Sequence, residues 1–191
     1  MLPIISIRTP FYPVTDERPA LFMDRDDTIM PDHPYLADPD GVEFFPDTCS
    51  ALRRFQQAGW RLILVSNQSG IGRGIFTAGQ LVAVHHRMTT MLQEGGVHLD
   101  GAYYCPHAPE EECCCRKPQA GLLLQAMQDY RTDTGASVML GDRRGDMEAA
   151  HAAGLRAALV TANGKTPPPD NHGAEMLFES LTAAADALLR P

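Results

Sequence analysis

The sequence predicts a doubly wound α/β domain on a parallel sheet, and three observations carry that prediction. Short apolar runs that end in polar tips alternate with amphipathic stretches along the chain. Each run is only three or four residues long, the length of a strand buried on both faces (Leu21–Met23 with Ala20, Leu62–Val65, Val138–Leu140). The segments between runs are long enough for the crossovers that parallel strands require, and such crossovers are right-handed almost without exception. With 191 residues, 44% of them hydrophobic, the chain holds enough material for one full-sized core. The expected organisation is an N-terminal arm over residues 1–19 and a single domain over 20–191. A formal net charge of -8 argues against a nucleic-acid backbone as partner, because counterion release needs a basic face. A small anionic substrate remains compatible if local cations or a metal receive it. No apolar run approaches the roughly 20 residues of a membrane span, and Met1–Ile7 is too short for a secretory core. A cytoplasmic monomer with no nucleic-acid and no membrane partner is therefore expected.

The elements follow in order. Residues 1–19 carry four prolines and little periodicity, which suits an arm or edge segment lying on the domain. Ala20–Met23 reads as the first buried strand and delivers Asp24 and Asp26 to its carboxyl end. Met30–Phe45 has no helical period and reads as a loop over that end, with Asp32, His33 and Tyr35 either facing a polar ligand or simply solvated. Asp47 is placed to cap a helix whose inner face is Ala51, Leu52, Phe55 and Ala58, stopped by Gly59; Cys49 is a small packed residue on it. Arg61–Val65 is the second strand, discharging into Ser66-Asn67-Gln68-Ser69-Gly70. Gly70, Gly72 and Gly74 around Arg73 form a loop able to present backbone amides and a guanidinium to an anion. Thr77 opens a helix with Leu81, Val84, Met88, Met91 and Leu92 inward and Gly95-Gly96 at its end. Ala102–Tyr104 is a third strand leading into a cysteine-rich loop. A helix with Leu122, Leu123, Ala126, Met127 and Tyr130 inward comes next. Ser137–Leu140 forms the fourth strand, tipped by Gly141-Asp142-Arg143-Arg144-Gly145-Asp146. A helix carrying Met147 and Ala150 stops at Gly154 before a fifth strand, Ala157–Val160. Lys165–Gly173 is a proline-rich loop, and Leu181 to Leu189 is a closing amphipathic helix.

In such a sheet the strand ends gather along one edge, so Asp24, Ser66, Lys117 and Asp142 are expected to meet although more than a hundred residues separate them. Carboxylates from two strand tips make a hard-oxygen site suited to Mg²⁺. Ser66 is placed to donate a hydroxyl proton to a phosphoryl oxygen, and Lys117 to neutralise developing charge. Asp24 is then free to attack phosphorus, while Asp26 protonates the leaving oxygen and later deprotonates water.

Taken together, Asp24-Arg25-Asp26-x-Thr28, Ser66-Asn67-Gln68-Ser69-Gly70, Arg116-Lys117-Pro118 and Gly141-Asp142-x-x-x-Asp146 resemble, in the right order, the four motifs of the haloacid dehalogenase (HAD) phosphohydrolase superfamily. The match runs from about residue 20 to 165. More narrowly the chain resembles the heptose 1,7-bisphosphate phosphatases and, less closely, the histidinol-phosphate phosphatases. The resemblance implies a HAD-like fold without a large cap domain, Asp24 as nucleophile, Asp26 as acid and base, and Mg²⁺ held by Asp24, the Asp26 carbonyl and Asp142. It also implies Ser66 and Lys117 on the transferred phosphoryl group and Arg116 in substrate recognition. Asp32, His33, Pro34 and Tyr35, with Asn67, Gln68 and Ser69, are implied to line the sugar, and Arg143 stands where the heptose enzymes more often carry lysine.

Two departures from that pattern stand out. Asp27 occupies the place of the usual glycine after the second acid; aspartate tolerates left-handed geometry, but a further carboxylate beside Asp24 and Asp26 is expected to raise a neighbour's pKa or alter metal affinity. Cys114 is an extra thiol in the cysteine loop. There, Cys105-x-His107-x5-Cys113-x-Cys115 matches a closed tetrahedral zinc site, with loose thiols or a redox cluster as the alternatives. Residues two apart in an extended segment face the same way, so Cys113 and Cys115 converge while Cys114 points elsewhere. Such a zinc would be structural, pinning the loop that aims Arg116 and Lys117. Arg73, Arg116 and Arg143 offer cations for a second phosphate, so a sugar bisphosphate is the expected small-molecule substrate. Histidinol phosphate is the alternative substrate, and a weakly active, zinc-stabilised sugar-phosphate-binding protein the alternative class.

Overall fold

The computed structural model describes residues 3–8, 16–161 and 165–190. Among them run β1 (Ile5–Arg8), β2 (Ala20–Met23), α1 (Thr48–Gln57), β3 (Arg61–Asn67), α2 (Ala78–Glu94), β4 (Gly101–Cys105), α3 (Gly121–Tyr130), β5 (Val138–Gly141), α4 (Arg144–Ala152), β6 (Arg156–Val160), β7 (Met176–Phe178) and α5 (Leu181–Leu188). The strands form one sheet in the order β1-β4-β3-β2-β5-β6-β7. Six of them are parallel, and β1 runs antiparallel to β4, with Ile5 opposite Tyr104. Starting from β2, the chain winds outward through β3 and β4, then crosses to β5 and continues outward through β6 and β7. The direction of winding reverses between β2 and β5, which opens a crevice beyond their carboxyl ends.

Period-two alternation builds the two faces of the sheet. Leu21, Met23, Leu62 and Leu64 pack with Leu52 and Phe55 of α1, Leu81, Val84 and Met88 of α2, and Leu181 of α5. Ala20, Phe22, Ile63 and Val65 face the other way, onto Leu122, Leu123 and Ala126 of α3 and Met147 and Ala150 of α4. Both layers are closed, so the central strands carry apolar residues at every position. Full burial of each Leu, Ile or Phe contributes about 1.5–3 kcal/mol, which makes β2 and β3 a rigid platform for whatever follows them.

Local chemistry sets the ends of the helices. Thr77 accepts from the Gln80 N–H, and the Gln80 side chain answers at the Thr77 N–H, a reciprocal cap that starts α2. Asp47 stands at the head of α1, but its carboxylate does not cap that helix. Instead Asp47 Oδ2 accepts from the Thr182 N–H at 2.9 Å and the Thr182 hydroxyl at 3.0 Å, fastening α5 beside α1. Two strands exceed the sequence expectation. β1 lies in the segment read as an arm and serves as the antiparallel edge, and β7, three residues long, lies where no strand was expected. Residues 1–2 and 9–15 of the expected arm lie outside the described residues. No helix among the described residues is long and apolar enough to cross a membrane.

Candidate active site

β2 carries Asp24 to the point where the sheet reverses. The Asp24 N–H still bonds to the Leu140 carbonyl at 3.0 Å, so the residue remains part of the sheet while its carboxylate faces the crevice. Lys117 arrives from the far side of the cysteine loop and is 6% exposed. Its Nζ lies 2.9 Å from Asp24 Oδ1 and 2.6 Å from Asp146 Oδ1, and donates to the Val65 carbonyl at 2.8 Å. Burial works against the ammonium, but Asp146 and Asp24 outweigh it and hold the lysine well above its ordinary pKa, so it stays charged. Asn67 fixes the lysine's backbone, donating to the Lys117 carbonyl at 3.0 Å and accepting from the Lys117 N–H at 3.1 Å. Gly141 is required beneath them, since a Cβ there would lie 2.4 Å from Asp146 Oδ2.

Carboxylates outnumber cations at this point. Asp24, Asp142 and Asp146 each bring an oxygen within 4.8 Å of the others. Burial, then the charges of Asp24 and Asp146, push Asp142 up to about 8, with Arg143 opposing. Asp142 Oδ1 is buried without a hydrogen-bond partner. An unpaired buried oxygen among mutually repelling carboxylates fits a hard divalent cation such as Mg²⁺, which prefers oxygen donors.

Asp26 is held differently. Arg25, 2% exposed, donates from Nε to Asp26 Oδ1 at 2.9 Å and from Nη2 to Asp26 Oδ2 at 3.1 Å. Gln68 donates from Nε2 to Asp26 Oδ2 at 3.2 Å and to Ser66 Oγ at 3.1 Å. Burial pushes the Asp26 carboxyl up, Arg25 opposes it, and Asp24 adds to the rise.

A cavity of about 410 Å³ opens above this floor, walled by Asp24, Asp26, Asp32, His33, Pro34, Tyr35, Asn67, Gln68, Ser69, Arg116, Lys117 and Arg143, all anticipated from sequence. Ser66 lies beneath the wall at 1% exposure. Arg73 is not part of the wall. Its guanidinium turns to Glu110 at 3.2 Å, an exposed pairing that an acidic loop offers to a neighbouring cation. Arg143 stands over the rim, 2.9 Å from Asp32 and 3.6 Å from Asp142. Arg25, Gly70, Gly145 and Asp146 also contribute. Asp146 had a readable signal, four residues after Asp142 at the head of α4; Arg25 had none beyond its place between two acids. Asp27 adopts φ 55°, the left-handed geometry of the turn, and its carboxylate is neutralised by Lys165 at 2.6 Å.

The cysteine loop closes on itself. Sulfur-to-sulfur distances are 3.6 Å for Cys105–Cys113, 3.5 Å for Cys113–Cys115 and 3.3 Å for Cys105–Cys115, and His107 Nδ1 lies 3.4 Å from Cys105 and 3.3 Å from Cys115. All four residues are buried, no disulfide forms, and Cys114 is exposed. A tetrahedron with Zn–S bonds near 2.3 Å has edges of about 3.7 Å, so four donors at these separations fit zinc with a small adjustment. Arg116 Nη1 donates to the His107 carbonyl at 3.4 Å, and Lys117 follows directly, so this cluster abuts the cavity wall.

Comparison with known proteins places the geometry in context. A family model described as HAD-hydrolase-like matches residues 114–184. The D-glycero-beta-D-manno-heptose-1,7-bisphosphate 7-phosphatase of Yersinia pestis is 40% identical over 183 residues, covering 92% of this chain and 97% of its own length. The protein of the same name from Escherichia coli K12 is 40% identical over 179 residues, covering 89% and 93%. Among solved structures, the D,D-heptose 1,7-bisphosphate phosphatase of B. bronchiseptica, complexed with magnesium and phosphate, matches with a TM-score of 0.80 at 32% identity, over 90% of this chain and 98% of that one.

Proposed function

Because this chain belongs to the heptose-1,7-bisphosphate 7-phosphatase family of HAD-like hydrolases, we propose that it removes one phosphate from D-glycero-D-manno-heptose 1,7-bisphosphate to leave heptose 1-phosphate. It acts as a cytoplasmic monomer, with residues 20–191 as its one catalytic domain, Mg²⁺ as cofactor and zinc as a structural ion. The observation that carries the reading is the meeting of Asp24 and Asp146 on the Lys117 ammonium, at 2.9 and 2.6 Å, on the floor of a polar cavity. An anionic ester entering there meets a fixed cation beside a carboxylate nucleophile.

Asp24 attacks phosphorus, and the bond from phosphorus to the sugar oxygen breaks as Asp26 gives that oxygen a proton. The product of this half-reaction is an aspartyl phosphate. Asp26, now a carboxylate, takes a proton from water as that water attacks phosphorus, and Asp24 is released unchanged. Ser66 and Lys117 bind the phosphoryl oxygens throughout, where the buried ammonium is worth more than it would be in water. Asp24, Asp142 and the Asp26 carbonyl would hold Mg²⁺, with Asp146 close by, and the bound ion would supply positive charge to the phosphoryl oxygens. Arg116 and Arg143 on the wall are the cations left for the phosphate that stays.

A phosphate-release screen over sugar mono- and bisphosphates and histidinol phosphate, with Mg²⁺, tests the proposal. Fastest release from the heptose bisphosphate is expected. Preference for histidinol phosphate would reassign the substrate, and release from none of the esters would leave a sugar-phosphate-binding protein.

A further inference from the structure

Gln68 lies at the cavity wall, but its carboxamide is committed to protein groups. It is 4% exposed, and its carboxamide touches three groups: Oε1 accepts from Arg25 Nη2 at 3.2 Å, while Nε2 donates to Ser66 Oγ at 3.1 Å and to Asp26 Oδ2 at 3.2 Å. Its orientation follows from chemistry. A guanidinium has only donors, so Arg25 must face the amide oxygen, and the amide nitrogen is thereby committed to Ser66 and Asp26.

Two consequences follow for the neighbours. The Ser66 oxygen already accepts a hydrogen bond from behind, so its one proton is free to be given to a group in the cavity. The Asp26 carboxylate is held on both oxygens, in a plane set by the Arg25 fork and the amide together. Arg25 itself is an arginine buried at 2% exposure beneath the cavity. A buried ion pair of this kind is weak evidence for stability, because apolar replacements of similar volume are often neutral or better. Its geometry is accounted for by what it orients.

We infer that Gln68, fixed by Arg25, is a positioning residue that sets the Ser66 hydroxyl as a donor and the Asp26 carboxylate as a proton carrier. The inference rests on the phosphatase reading and adds to it the device that couples the phosphoryl-binding hydroxyl to the acid and base.

Steady-state and single-turnover kinetics on the heptose bisphosphate with Mg²⁺ test it, using Gln68→Glu, which keeps the acceptor for Arg25 and removes the donor, and Gln68→Met, which removes both. Thermal melts and circular dichroism identify the folded variant to be used. The expected result is a fall in kcat of about 30-fold, a share of the 10²–10⁴ that acid-base catalysis supplies, with KM within about threefold of the parent. In an Asp26→Asn background the same substitution should cost only about threefold, because the group it serves is already gone. A raised KM with unchanged kcat, or a full 30-fold loss in the Asp26→Asn background, would overturn the inference. Silence of the unmodified protein would overturn the phosphatase reading instead.

Discussion

Lys117 and His85 are both buried, and burial works against the charged form of each, yet they end with opposite shifts. For Lys117 two carboxylates at 2.9 and 2.6 Å override desolvation. His85 has no such partner. Its Nδ1 shares a hydrogen bond with the Tyr104 hydroxyl at 2.8 Å, and burial, helped by His86 and Arg25, pushes the imidazole down to about 4. The folded protein therefore holds His85 neutral where the unfolded chain, at its ordinary 6.5, takes up a proton. His85 thus favours folding fully above pH 6.5 and loses that contribution as pH falls from 6.5 toward 4. The size is about 3 kcal/mol across the window. Buried carboxylates such as Asp26 and Asp146 shift the opposite way, so the test is a difference: in chemical denaturation the stability of His85→Gln relative to the parent should rise as pH falls from 7 to 4.5, and a difference that does not change with pH would contradict the assignment. At this scale the sequence is legible where a polar residue ends an apolar run, as Asp24, Ser66 and Asp142 do. It is silent on which way a long side chain turns. Gln68 points inward and Arg73 swings to Glu110 because of neighbours 42 or 37 residues away.

Among the elements, the cysteine loop is short and acidic, and it carries Arg116 and Lys117 to the cavity wall. Cys113 and Cys115 converge and Cys114 is exposed, as the two-residue spacing predicts. Without a metal, three thiols and an imidazole packed within 4.8 Å of one another give the loop no comparable source of order. Chelation, or Cys113→Ser, should release zinc, lower the melting temperature and reduce kcat at least about tenfold, because Lys117 is carried by this loop. Cys114→Ser should leave metal content, melting temperature and kcat unchanged. Elemental analysis beside a melting curve checks both, and a zinc-free protein of unaltered stability would remove the structural role. The long elements were legible because their periods are long: α2 shows its stripe over 17 residues. β7 has three residues, too few to display a period, and the Ile-Ser-Ile-Arg of β1 sits in a proline-rich context that masks its alternation. Asp47 reads as a cap from its position, yet it serves α5, an assignment that depends on how two helices pack.

For the whole molecule, topology does the assembling. A parallel sheet that reverses between β2 and β5 brings Asp24 and Asp142 to one crevice, and β3 beside β2 adds Ser66 and Asn67. That much follows from alternation of strand and helix alone. The position of Lys117 does not, because it arrives through a loop whose path is set by the Asn67 side chain and the cysteine cluster. On the proposed mechanism Asp24 becomes covalently phosphorylated. Quenching the reaction with the heptose bisphosphate in the steady state, reducing the acyl phosphate with borohydride and mapping the modified peptide tests it directly. Conversion of Asp24 to homoserine is expected, absent without substrate and absent in Asp24→Asn, whose turnover falls by about 10⁴-fold or more while its fold is retained. Sustained phosphate release by Asp24→Asn, or a reduced residue other than Asp24, would contradict it.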